Sequence, residues 1–207
     1  MNPSMHNFTK LFLSAAFLTF FTAATHAQSF HAGLKAGANA FKLSGNSFDN
    51  KTRFGFAAGA YGELYFNKEW GIQPELLFSQ STAKTTENFN TQFSGISFQT
   101  VSLDYVTLPV MLAFRPSKEF TILAGPQIGY LVYQTQNLTQ QSSGQYRKDA
   151  FSKTDISIVF GGQFNLDKVK LGARYVIATN NINNLPSKDA DQWKNQGFQV
   201  YLGYQIL

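Results

Sequence analysis

Few side chains in this 207-residue sequence could make or break a bond. Cysteine is absent, which excludes disulfides, thiolate catalysis, cysteine-held metals and a lipid-bearing N-terminal cysteine. The histidines are His6, His26 and His31, and the first two lie in a segment that reads as a leader. What remains is a sparse set of charges embedded in apolar stretches: Lys35, Glu63, Glu75, Asp155, Lys170 and Arg174. Paired carboxylates suit acid–base catalysis. The same carboxylates beside Lys and Arg suit a buried ionic network, because charges removed from water need partners. The elements that carry them decide between the two.

Those elements are strands. Residues 30–41 place Phe30, Ala32, Leu34, Ala36, Ala38 and Ala40 opposite His31, Gly33, Lys35, Gly37, Asn39 and Phe41. In 54–66, Phe54, Phe56, Ala58, Ala60, Leu64 and Phe66 oppose Gly55, Gly59, Tyr61, Glu63 and Tyr65. In 70–82, Ile72, Leu76 and Phe78 oppose Gln73, Glu75 and Ser79. The same period of two recurs around Val106–Phe114, Phe120–Val132, Ile156–Phe164, Val169–Ile177 and Phe198–Ile206. Period-2 alternation marks strands with unlike faces. The tally is eight, an even number.

The connections alternate too. Asn67–Glu69, Arg115–Glu119 and Asn165–Lys168 are short, whereas 42–53, 83–99, 135–153 and 179–196 are long and rich in Asn, Gln, Ser and Thr. Up-and-down membrane barrels have this form, with tight periplasmic turns and long outer loops. About 11 residues at roughly 3.3 Å each, tilted about 40°, reach roughly 28 Å along the axis, enough for an outer-membrane apolar band. Phe66, Trp70, Phe114, Phe120 and Phe164 flank the short turns, where an interfacial aromatic girdle belongs.

Alternation does not say which face looks outward. A soluble barrel would turn the apolar set inward and need a richly charged outside. Here the other set is mostly Gly, Asn, Gln, Ser, Thr and Tyr, and only 14% of the chain is charged. Small neutral polar groups suit a crowded eight-strand lumen. Asp104 is the exception in the apolar phase, at the loop end of its strand. The apolar face is therefore expected to meet lipid.

Residues 1–27 read as a cleaved leader. Lys10 precedes the apolar run Leu11–Phe21, and Thr25-His26-Ala27 supplies a small residue before Gln28. The run is shorter than the roughly 20 residues that span a bilayer. The formal charge of +5 would fall by one on cleavage, and the basic residues are scattered, so no nucleic-acid partner is expected.

The six charges then point into the lumen, where a paired network is expected: Glu75 with Arg174 first, Lys35 with Glu63 second. His31 sits at the periplasmic end, away from the outer leaflet where lipid-modifying barrels work, and no second histidine can join it in a Ser-His arrangement. No catalytic, cofactor or metal residues are assigned. Eight strands leave no wide water channel.

Several segments resemble a known family. Gly33-Leu34-Lys35-Ala36-Gly37-Ala38-Asn39 is similar to its opening strand, and Ile72-Gln73-Pro74-Glu75-Leu76-Leu77-Phe78-Ser79-Gln80 to its "PELLYSQ" strand. Tyr105-Val106-Thr107-Leu108-Pro109, Leu123-Ala124-Gly125-Pro126 and Leu171-Gly172-Ala173-Arg174-Tyr175 with Asn180-Asn181-Ile182 follow in the family's order. The family is the outer-membrane-protein β-barrel domain, labelled "porin family" or PorT-like, and the likeness covers essentially all of 28–207. Two features depart from it: the chain ends on Leu207 rather than an aromatic, and Val176-Ile177-Ala178-Thr179 lacks the family's glycine.

The sequence thus predicts an all-β protein: a leader, 1–27, and an eight-stranded antiparallel up-and-down transmembrane β-barrel, 28–207, in the outer membrane with both termini periplasmic. By resemblance to small OmpX- and OmpA-like barrels, its role is surface interaction, adhesion or envelope integrity, without enzyme activity. Passive passage of small solutes and an accessory part in secretion or motility are the alternatives. The expected partners are outer-membrane lipid or lipopolysaccharide, and extracellular or envelope proteins at the four long loops. A monomer without cofactor is expected.

Overall fold

A computed structural model describes residues 29–86, 100–137, 151–184 and 191–207. The leader and much of three long loops lie outside the described residues. The strands are β1 (Ser29–Ser44), β2 (Arg53–Tyr65), β3 (Trp70–Lys84), β4 (Thr100–Ser117), β5 (Phe120–Asn137), β6 (Thr154–Leu166), β7 (Val169–Ala178) and β8 (Lys194–Gln205). Each pairs antiparallel with its sequence neighbour, and β8 returns to β1, from Gly33↔Gln205 to Ser44↔Lys194, to close the barrel. Closure leaves no free strand edge, which a bilayer requires because lipid cannot satisfy exposed backbone N–H and C=O groups.

The faces fall as the alternation predicts. Leu34, Leu76, Leu108, Leu112, Ile158 and Leu202 point outward and are about half exposed, whereas Lys35, Glu75, Met111, Val159 and Tyr201 point inward and are buried. A belt this apolar and continuous is a lipid-facing surface. Leu64 has the outward phase yet is 1% exposed, lying in register between Phe30 and Ile72. Around the short turns the aromatics gather into a girdle: Trp70 against Phe114 with ring centroids 4.6 Å apart, Phe120 against Phe164 at 5.1 Å.

Strand pairing is tight. A Cβ on Gly59 would lie 2.0 Å from the Leu76 carbonyl oxygen, and one on Gly172 would lie 2.2 Å from the Tyr201 ring. Neither position has room for a side chain. Between Asp104↔Tyr133 and Tyr105↔Leu131 the register shifts, so Val132 is an extra residue on β5. Such a bulge bends a strand and sharpens its twist, and here it marks the height at which the barrel changes character.

Above that height the polarity of the two faces inverts. Val101, Leu103 and Tyr105 of β4 point inward and are buried, while Ser102 and Asp104 point outward. Outward polar groups pair with one another there: the Gln80 amide donates to Asp104 at 3.0 Å, and Thr82 and Ser102 hydroxyls lie 3.2 Å apart. The strands continue out of the apolar band as a water-exposed collar with an apolar inside. This corrects the expectation of a hydrophilic lumen throughout.

Candidate functional site

Among the described residues the lumen concentrates the buried charged side chains, and it is layered. Near the short-turn end, Lys170 Nζ lies 2.8 Å from Glu63 Oε2, and the Gln163 amide donates to Glu63 Oε1 at 3.1 Å. The Tyr201 hydroxyl donates to Gln163 Oε1 at 3.1 Å, tying this pair to the layer above. In that layer Glu75 accepts from Lys35 at 2.5 Å, from Arg174 at 2.8 Å and from Gln73 at 2.7 Å. Arg174 Nε donates to Gln199, whose amide donates to Asn39, whose own amide donates to Ser79. Lys35 Nζ also stands 3.9 Å from the Tyr201 ring centroid, close enough for a cation–π contact.

Glu75 and Arg174, from β3 and β7, therefore meet across the lumen. Lys35 and Glu63 do not: Lys35 goes to Glu75 and Lys170 takes Glu63. Register gives the reason. Glu63 sits opposite His31, four residues down β1 from Lys35, whereas Glu75 sits opposite Tyr61, one inward step higher on β2. Four residues are about 13 Å of strand, more than a lysine spans. Asp155 joins neither group. It accepts from the Ser157 hydroxyl at 3.2 Å and has no ion pair among the described residues.

At the short-turn mouth, His31, Glu63, Arg115, Lys118, Glu119, Asn165, Asp167, Lys170 and Gln205 line a polar recess of about 350 Å³. His31 Nδ1 is 2.9 Å from the Gln205 amide, and the Arg115 guanidinium lies 3.8 Å from the Tyr65 ring centroid. Hydrogen bonds from its own backbone N–H and from Ser117 hold the Glu119 carboxyl below the usual carboxylate range. The rim carries both acids and bases, so it selects no one sign of charge.

The outer mouth holds what sequence reasoning missed. Phe48, Phe151 and Trp193, all from connections, close over Leu43, Ala83, Val101, Leu103, Tyr105 and Ile182. Trp193 meets Phe48 edge-on at 5.0 Å and Phe151 at 5.1 Å. The clasp is Asp191: its carboxylate accepts the backbone N–H groups of Asn46 at 2.8 Å and Ser47 at 2.9 Å, the Ser47 hydroxyl, and the Trp193 indole at 3.1 Å. Isolated bridges Phe48↔Thr85 and Phe151↔Asn183 draw the other two outer connections into the same cap. A signal was present: single large aromatics stand in otherwise polar loops.

Among the described residues, Glu63 is held by Lys170 and Gln163, and Glu75 by Lys35, Arg174 and Gln73.

Comparison with known proteins agrees with this architecture. The family model described as "Outer membrane protein beta-barrel domain" matches residues 26–184. Among solved structures, the chain resembles Ail, the attachment invasion locus protein of Yersinia pestis, with 16% identity and a TM-score of 0.52 over 86% of this chain and 100% of that one. The same protein in complex with the heparin analogue sucrose octasulfate matches at 14% identity and 0.52, again over 86% and 100% of the two chains. Neisserial surface protein A matches at 14% identity and 0.50, over 87% and 99%. At these identities the likeness is one of fold. Among curated proteins none matches.

Proposed function

This chain belongs to the outer membrane protein β-barrel domain family and is an integral outer-membrane barrel, and on that premise we propose that it is a non-enzymatic scaffold whose long outer loops carry surface interaction or sustain envelope integrity. One observation carries the reading. The outer mouth is closed by Phe48, Phe151 and Trp193, and Asp191 clasps the β1–β2 connection to the β7–β8 connection. A cap of this kind spends the outer end of the barrel on holding loops in place. The layered lumen beneath it leaves side chains where a solute path would run.

The loops 42–53, 83–99, 135–153 and 179–196 are the surfaces offered to extracellular or envelope proteins, and the outward belt to lipid and lipopolysaccharide. Residues 1–27 act as the cleaved leader, which an intact mass beginning at Gln28 checks. Deletion of 138–150 spares β5, Phe151 and β6, so the barrel should still fold. Cells displaying that variant should lose adhesion, or become detergent-sensitive, relative to cells with the full chain. Unchanged adhesion together with unchanged detergent resistance would reject the loop reading. Stable single-channel steps from the purified barrel in a planar bilayer would favour solute passage instead.

A further inference from the structure

The lumen carries three carboxylates and three cations, and they do not match up one to one. Glu75 takes both Lys35 and Arg174, and Glu63 takes Lys170. Asp155 is left over. It is 6% exposed, and its partners are neutral: the Ser157 hydroxyl and the Asn195 side chain. Arg174 is opposite Gly161, six residues down β6, so it lies about 20 Å away along the strand and cannot reach. A carboxylate that stays ionised out of water needs a compensating charge, and two neutral hydrogen bonds do not supply one.

The surroundings of Asp155 are also unfinished. The Tyr105 hydroxyl is buried without a hydrogen-bond partner. Its ring, the Asp155 Cβ and the Thr107 methyl converge on Gly129, each within 3.5 Å of where a Cβ there would sit. One inward step down β5 from Gly129 is Gln127, opposite Ser157. Gln127 has the inward phase and is only partly buried. Carboxylate, hydroxyl and amide thus come from neighbouring inward positions on β6, β4 and β5 below the aromatic cap, with no cation among them.

We propose that this cluster binds a single alkali-metal cation, Na⁺ or K⁺, held by the Asp155 carboxylate with the Tyr105 hydroxyl and Gln127 carbonyl oxygens. One carboxylate among neutral oxygens matches a monovalent charge. Divalent Ca²⁺ or Mg²⁺ favours more carboxylates or retained waters in a larger site, and the other two lumenal carboxylates already hold their own cations. Bound there, the ion balances the charge that the cap seals in.

The test uses the whole mature barrel, refolded in detergent and heated in NaCl, in KCl and in N-methylglucamine chloride at equal ionic strength. Na⁺ or K⁺ should raise the unfolding temperature, with N-methylglucamine as the low baseline because it is too large to enter. Asp155→Asn should remove that increment while remaining at least as stable as the parent in N-methylglucamine. Tyr105→Phe and Gln127→Leu should each weaken the apparent affinity several-fold, read as the salt concentration giving half the increment. A parent barrel that unfolds at the same temperature in all three salts would overturn the site. So would an Asp155→Asn variant that keeps the full alkali-metal increment. Failure here leaves the loop reading untouched, since that rests on adhesion and detergent resistance.

Discussion

The three lumenal carboxylates differ in one respect above all, the number of cations each holds, and their removal should rank in that order. Glu75→Gln keeps the shape but turns one acceptor oxygen into a donor and strips the charge from between Lys35 and Arg174, whose side chains are 2% and 1% exposed. Removing one partner of a buried pair costs about 3–5 kcal/mol, because the survivor is left charged in a poor solvent. Here two survivors share the loss. Arg174 retains the Gln199 oxygen and Lys35 the face of Tyr201, so the cost should stay near the upper end of that range rather than double it. Glu63→Gln strands only Lys170, which also lines the recess at the short-turn mouth and can recruit water there, so about 1–3 kcal/mol is expected. Asp155→Asn strands no cation and should cost close to nothing in N-methylglucamine salt. Urea unfolding in lipid vesicles, followed by the fluorescence of Trp70 and Trp193, would give all three values on one scale. If Glu63→Gln costs as much as Glu75→Gln, or Asp155→Asn costs more than either, cation count is not what sets these energies.

Trp193→Ala removes the centre of the outer cap and one of the hydrogen bonds to Asp191, and should cost about 3–5 kcal/mol in the same urea assay, since its side chain is fully buried. The same variant should still show no stable conductance in a planar bilayer, because the Lys35–Glu75–Arg174 layer and Tyr201 fill the lumen beneath. Leu108→Arg puts a charge midway along β4 on the lipid face and should lose about 2–4 kcal/mol in vesicles. Gly59→Val should fail to give the fast-migrating unboiled band that the folded barrel gives on a denaturing gel, because the new side chain meets the Leu76 carbonyl.

How much of this was legible depended on whether the two sides of a strand faced unlike surroundings. Within the bilayer they do, so Leu34 and Lys35, or Leu108 and Thr107, could be assigned to lipid and lumen from spacing alone. Glu75 with Arg174 was legible as a pair because few partners were available. Lys35 was given the wrong partner because its choice between Glu63 and Glu75 turns on register around the barrel, a relation between strands that one strand's pattern does not contain. The cap was legible only as isolated aromatics in polar loops. Phe48, Phe151, Asp191 and Trp193 sit in connections without period, and their convergence follows only from closure. The placement of the lumenal charges was in the residues; their partnerships were in the topology.

The inversion of the two faces also locates the bilayer. On β4 the outward apolar run extends from Phe114 to Val106 and stops at Asp104; on β3 it stops at Gln80, on β1 at Lys42, on β8 at Gln196. Nine residues of β4 at roughly 3.3 Å each, tilted about 40°, cover roughly 23 Å along the axis, close to the apolar band of about 25 Å that an outer-membrane barrel presents. The girdle of Trp70, Phe114, Phe120 and Phe164 closes that band on one side and the Gln80–Asp104 hydrogen bond on the other. Outside it the solvent is water, so the collar turns Val101 and Leu103 inward and caps them with Trp193. One chain thus obeys two opposite solvents in succession. The ionic layers lie where lipid surrounds the barrel and the apolar cap lies where water does, because in each zone the lumen takes the residues that the outside excludes.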